Sequence, residues 1–286
     1  MAVIVVCIAL VLAGLVVVVR WGSLAVEPPP VPEPETAGQT KRPPVSLVVR
    51  RYLWSLTVAV ASGVGAGLLA AGAGGRLVMR LLAVTAGADA QGRITEAEQV
   101  VGRIRVDGTL GFIIFTGLFF GLASGAAYLV LHRWLPDGWG GGLAYGALLL
   151  VVAGTRLEPL RPGNLDFDLV GPGWVSVVAF AALVVFHGVL VAALAGRVSR
   201  ALPLLDARPR AIAAYAPLLL LVPLVPVIPL LVLVGLGVVL ASRIPTVVAA
   251  WHDRRLMVIG RVVLALVALV AVPGFAMAVA DILGRT

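Results

Sequence analysis

Two arginines four residues apart, Arg76 and Arg80 in GGRLVMRLLAV, are the pair in this chain best suited to hold a ligand. Residues i and i+4 share one face of a helix, so both guanidiniums can reach the same group. Each offers a planar fork of donors that matches a phosphate or a carboxylate. The chemistry this predicts is a cationic clamp for a lipid headgroup phosphate or an acidic substrate group. The alternative is two arginines that snorkel to an interface and pair with Glu96 or Glu98.

His187, in VVFHGVL, sits near the centre of an apolar stretch. An ionisable residue at that depth is a candidate proton relay or ligand, or a neutral ring bonded to a neighbouring helix. Asp166 and Asp168 form a DxD in RLEPLRPGNLDFDLVGPGW. Two carboxylates so spaced can share a divalent ion, as a lipid-linked sugar or phosphate transferase would require; the alternative is solvated carboxylates or ion pairs with Arg156 and Arg161. HExxH, GxSxG, Walker and CxxC spacings do not occur. Cys7 is the single cysteine, which rules out a disulfide or a cysteine metal site within the chain, and it is expected as a small lipid-facing residue. No cofactor is expected.

The elements that must carry these groups are apolar. Stretches of 18 or more residues without Asp, Glu, Lys or Arg recur along the chain, 60% of residues are hydrophobic and the mean hydropathy is +1.07. About 20 such residues in a helix cross the hydrocarbon core, and the runs are continuous rather than alternating, which selects helices over a barrel. The predicted fold is an all-α polytopic transmembrane bundle. The net charge of +8 would suggest nucleic acid in a soluble protein. Here the basic residues flank apolar runs and act as topology signals, so the expected surroundings are a lipid bilayer, with no nucleic acid.

Three regions are expected: an N-terminal anchor helix over 1–22, a Pro-rich cytoplasmic linker over 23–51, and the membrane bundle over 52–286. The first apolar run lacks a basic leader and a small-x-small cleavage site, so it reads as a retained anchor. EPPPVPEPETAGQTKRPP after it is prone to polyproline II, which would tether that helix loosely. Later spans are expected over Tyr52 to Gly75, Gly108 to Leu131, Gly138 to Thr155, Leu169 to Gly196 and from Arg255 to Ala280.

The interval Ala211 to Ser242 is too long for one crossing and too short for two ideal ones. Pro217, Pro223, Pro226 and Pro229 each remove a backbone donor, which favours a break and about eight spans over one kinked helix and seven. With both termini outside, the inner loops carry 13 basic residues and the outer loops seven, as the positive-inside bias requires. That orientation fits a bacterial plasma (inner) membrane.

Small residues recur every fourth position at Gly63, Gly67, Ala71 and Gly75, and again at Gly117, Gly121 and Gly125. Such stripes let helix backbones approach where lipid supplies no hydrophobic drive, either between these two spans or between copies of the chain. The loop Gly92 to Gly108 is expected as a hairpin cap, or as a short helix started by Thr95 and Glu98.

GGRLVMRLLAVTAGADAQGRITEAEQVVGRIRVDGTLGF and NLDFDLVGPGW resemble uncharacterised multi-pass membrane proteins of high-GC Gram-positive bacteria. The resemblance covers about a third of the chain and implies location and helical architecture. With few intramembrane charges and no nucleotide motif, an accessory or scaffold membrane subunit is the expected function. A permease or channel for a small or lipidic solute is the alternative, and the transferase a remote one.

Overall fold

The computed structural model describes residues 2–29, 43–96, 100–103, 105–157 and 159–285, the His252 side chain excepted. Glu98 lies outside the described residues. Among those described, the chain is helical apart from an isolated antiparallel bridge between Ile94 and Val100. The helices are α1 (Ala2–Trp21), α2 (Val45–Ala66), α3 (Ala73–Thr85), α4 (Val106–Leu131), α5 (Trp139–Val152), α6 (Gly173–Ala201), α7 (Pro209–Ala213), α8 (Val227–Ala241), α9 (Pro245–His252) and α10 (Arg254–Gly284).

Five helical runs are long and apolar enough to cross a membrane: Ala2–Trp21, Val45–Thr85, Val106–Trp134, Gly173–Ala201 and Arg254–Gly284. Counting α8 and α9, which meet at a 100° bend, as one broken unit gives six. That falls short of eight. With 14 and 15 residues, α5 and α8 extend about 21 and 22 Å, less than the roughly 30 Å of a hydrocarbon core. The prolines explain the third short segment. After α7 the chain tightens into a 3₁₀ turn over Ala216–Leu221 and breaks before α8, whereas Pro229 is tolerated in the first turn of α8, where its missing N–H would have had no partner.

The second helical run departs from its expected limits at both ends. It starts at Val45, which takes Arg50 and Arg51 out of the linker. It also continues past Gly75, through a π-helical segment over Gly67–Gly72 and on through α3, to stop before Gly87, whose φ is +77°. Arg76 and Arg80 therefore ride on a helix instead of an outer loop. Leu, Met and Arg are good helix formers, and nothing in RLVMRLLAV interrupts the helical bonds.

Glycines set the closest crossing. A Cβ on Gly63 would land on the Gly121 carbonyl, one on Gly67 on the Gly117 carbonyl, and one on Gly125 on the Ala59 carbonyl, so α2 and its π segment lie backbone to backbone on α4. Gly75 instead faces the Phe112 ring, 3.2 Å from the position of its Cβ. A second crossing of this kind, Gly146 of α5 against Gly188 of α6, was not anticipated, although Gly142 and Gly146 carry the same spacing of four. Around these crossings Trp54, Val58, Tyr145, Leu190 and Val191 form the main core.

α1 belongs to this packing. Its Val18 joins the main core, and a Cβ on Gly14 would sit 3.0 Å from the Phe186 ring and 3.6 Å from Leu69 Cβ. Cys7, expected to face lipid, is 1% exposed among Ala73 and Ile113. Most of the expected loose tether, residues 30–42, lies outside the described residues; the helix itself is docked, its small residues fitting the surface that α3 and α6 present.

Two ends of the bundle can be distinguished by contacts. At one, Arg285 after α10 donates to the Pro162 carbonyl at 2.5 Å and pairs with Asp168 at 3.6 Å. At the other, the Glu27 N–H donates to Ser199 Oγ at 3.1 Å, and Arg133 after α4 donates to the Trp251 carbonyl at 2.7 Å beside the start of α10.

Candidate functional site

The site begins where α4 parts from α5 and α6. Near the C-terminal end of α4 the helices are joined by polar contacts: Ser124 Oγ lies 2.8 Å from His187 Nε2, the Tyr145 hydroxyl donates to the Ser124 carbonyl at 2.5 Å, and the Tyr128 and Tyr145 rings meet edge to face at 5.0 Å. Towards the N-terminus of α4, no polar side-chain contact between α4 and α6 is found among the described residues. The gap is a cavity of about 790 Å³.

One face of α4, from Thr109 to Ala127, lines the cavity, a distance of about 27 Å at 1.5 Å per residue. Its walls are mostly apolar and come from α1, α3, α4, α5 and α6, with Cys7, Phe120 and Leu183 among them. His187 and Ser124 close the deep end. The second ring nitrogen of His187, Nδ1, is buried and makes no hydrogen bond of ordinary geometry among the described residues, and the Ala66 carbonyl lies near the ring. That carbonyl belongs to the residue preceding the π segment, where the change of helical repeat displaces the regular ladder.

The mouth is cationic. Arg76 and Arg80, one turn apart on α3, both line it, as do Arg103 and Arg161. Arg76 Nε donates to Thr109 Oγ1 at 3.1 Å and its guanidinium lies over the Phe112 ring at 5.8 Å, while Arg80 Nη1 makes a long contact of 3.4 Å with the Gly102 carbonyl. None of these partners carries negative charge. Glu96, considered as their counter-ion, is engaged elsewhere: it accepts from Arg161 at 2.6 Å.

The two loops at this end are joined by that pair and by the Glu96 N–H, which donates to Asp166 Oδ1 at 2.7 Å. Within the first loop, Val101 N–H donates to the Arg93 carbonyl at 2.9 Å beside the Ile94 to Val100 bridge, with Gly92 and Gly102 at positive φ. That is the hairpin arrangement; the helix expected from Thr95 and Glu98 would run through 97–99, outside the described residues.

Asp166 and Asp168, on a 3₁₀ turn over Leu165–Asp168, go to different partners, the Glu96 backbone and Arg285. Among the described residues no group of three or more His, Cys, Asp or Glu side chains is placed to hold a metal ion.

The chain matches no family model, no curated protein and no solved structure. The site's own chemistry is what remains.

The cavity thus brings together Arg76, Arg80 and Glu96 at its mouth and His187 at its deep end, and Asp166 joins the rim. Thr109 and Ser124 were not anticipated. Their signal was available: Thr109, Thr116 and Ser124 recur at seven and eight residues along an otherwise apolar helix, one side of it, where polar residues in such helices turn to the interior.

Proposed function

We propose that this is a multi-pass integral membrane protein that binds an anionic amphiphile, holding the apolar part between α4 and α6 and the charged part at Arg76 and Arg80. One observation carries the reading: a long apolar cavity ends in two guanidiniums whose partners are all neutral. Apolar walls with a few convergent polar groups are the usual make-up of a small-molecule site. A solute that partitions into lipid fits both halves of it. This favours a permease or carrier of a lipidic solute over the accessory or scaffold subunit that composition alone suggests.

The bacterial inner membrane is the compartment we infer, with about eight membrane-embedded segments and both termini outside. Support comes from the excess of basic residues in the loops read as inner, and the contact of Arg285 with the loop before α6 is consistent with both lying on one side. In this reading α5, α8 and the segment from α7 through Leu221 are short or broken segments completed by thinning or by neighbours.

The test is lipid retention. Purified in a mild detergent, the protein should carry a tightly held acidic lipid detectable by native mass spectrometry, and Thr116→Trp, which fills the cavity, should release it without unfolding the bundle. Retention undiminished by Thr116→Trp would place the lipid elsewhere and end the proposal.

A further inference from the structure

The charge balance at the mouth specifies the head group more closely. Of the charged side chains lining the cavity, Glu96 pairs with Arg161 across 2.6 Å, Asp166 accepts a backbone N–H and keeps its charge, and Arg103 adds a further cation, so four arginines face two carboxylates. Arg76 and Arg80 keep two positive charges with no carboxylate partner among the described residues. Partial burial of both makes the missing counter-charge costly, and a carboxylate would neutralise only half of it. From adjacent turns of α3, the two forks can take different oxygens of one tetrahedral group. The Thr109 hydroxyl stands beside them, in the first turn of α4, where the positive end of the helix adds to the field.

Resting on the reading of the cavity as an amphiphile site, we propose that Arg76 and Arg80 recognise a phosphate monoester dianion. Several acceptor oxygens and two charges satisfy both guanidiniums together, with the Thr109 hydroxyl, which donates to the Arg105 carbonyl at 2.8 Å, holding Arg76 in place. A sulfate ester has the same shape with one charge, a carboxylate has one charge and two oxygens, and an alcohol has neither.

Binding of hexadecyl phosphate, hexadecyl sulfate, palmitate, hexadecanol and inorganic phosphate to the full chain in phosphatidylcholine nanodiscs separates these. The measurement is made at about pH 8, above the second phosphate ionisation of about 6. Hexadecyl phosphate should bind about tenfold or more tightly than hexadecyl sulfate or palmitate, and Arg80→Gln should remove that advantage while Arg80→Lys restores part of it. Arg80 is the better position to vary, since its contact with Gly102 is long and the fold depends on it little.

Inorganic phosphate binding as tightly as hexadecyl phosphate, with the same sensitivity to Arg80→Gln, would support the phosphate site and identify free phosphate as its source. Equal affinity for the phosphate, the sulfate and the alcohol, each lost in Thr116→Trp, would overturn the phosphate assignment and leave the amphiphile cavity standing. Chain-bearing probes that bind identically to wild type and Thr116→Trp would remove the cavity reading itself.

Discussion

Ser124 Oγ and His187 Nε2 stand 2.8 Å apart, buried where α4 and α6 converge, and above them the two helices separate. This bond and the Tyr145 hydroxyl on the Ser124 carbonyl fix the depth at which the cavity ends. A polar contact surrounded by apolar side chains is costly to leave half-made.

Ser124→Ala should therefore destabilise the bundle by about 1 to 3 kcal/mol, because it leaves a second buried ring nitrogen of His187 without a partner. Thermal unfolding in detergent measures this. An unchanged midpoint would mean that the His187 ring finds another acceptor and that the contact does not hold α4 to α6.

Gly121→Ala and Gly111→Ala lie on the same helix and should differ in sign. A methyl on Gly121 meets the Gly63 carbonyl, so the crossing must open at about 1 to 3 kcal/mol, whereas a Cβ at Gly111 meets nothing within 4 Å and should gain about 0.5 to 1 kcal/mol of helix propensity. Equal melting temperatures for the two would refute the backbone contact between α2 and α4.

Glu96→Gln should cost at most about 1 kcal/mol, since both members of the Arg161 pair keep 35% and 41% exposure and water screens them. Its larger effect should fall on binding. Removing the Glu96 carboxylate makes the rim one charge more positive, so affinity for hexadecyl phosphate should rise, and a fall in affinity would show that Glu96 contacts the ligand.

Reporter fusions after Arg255 and after Thr286 should give opposite answers, because the 31 residues of α10 between them extend about 46 Å. Alkaline phosphatase active at both points, or at neither, would show that α10 does not cross.

Docking of α1 is tested by a cross-link. In a Cys7→Ser background, Gly14→Cys with Leu69→Cys should form a disulfide under mild oxidation, the two Cβ positions being 3.6 Å apart. An α1 that only floats in lipid would leave both thiols free.

Helical class was legible in the chain because continuous apolarity selects helices, and a glycine every fourth residue marked the close-packing faces, with the α2 to α4 crossing as one of the two pairings they allow. The limits of the second run were not. Arg76 and Arg80 read as one helical face, but the span was expected to end at Gly75 because charge ends an apolar window, whereas a guanidinium at a helix end can reach water or an anion without stopping the helix. Pairing of Glu96 with Arg161 escaped for another reason: the partners are 65 residues apart, and only the approach of two loops brings them together. Cys7 was misread because one helix alone does not reveal which of its faces finds a neighbour.

α1 supplies one wall of the cavity, with Val3, Ile4 and Cys7, yet its connection to α2 runs through residues 22–44. A wall attached in this way behaves as an intramolecular ligand for its own groove, held by the effective concentration that its connecting segment imposes. The backbone-to-backbone glycine crossings, α2 on α4 and α5 on α6, are made without α1, which packs on them through side chains such as Val18. The space beside Val3, Ile4 and Cys7 therefore keeps its shape only as long as α1 keeps its seat, so one wall of the cavity is an element that the chain binds to itself.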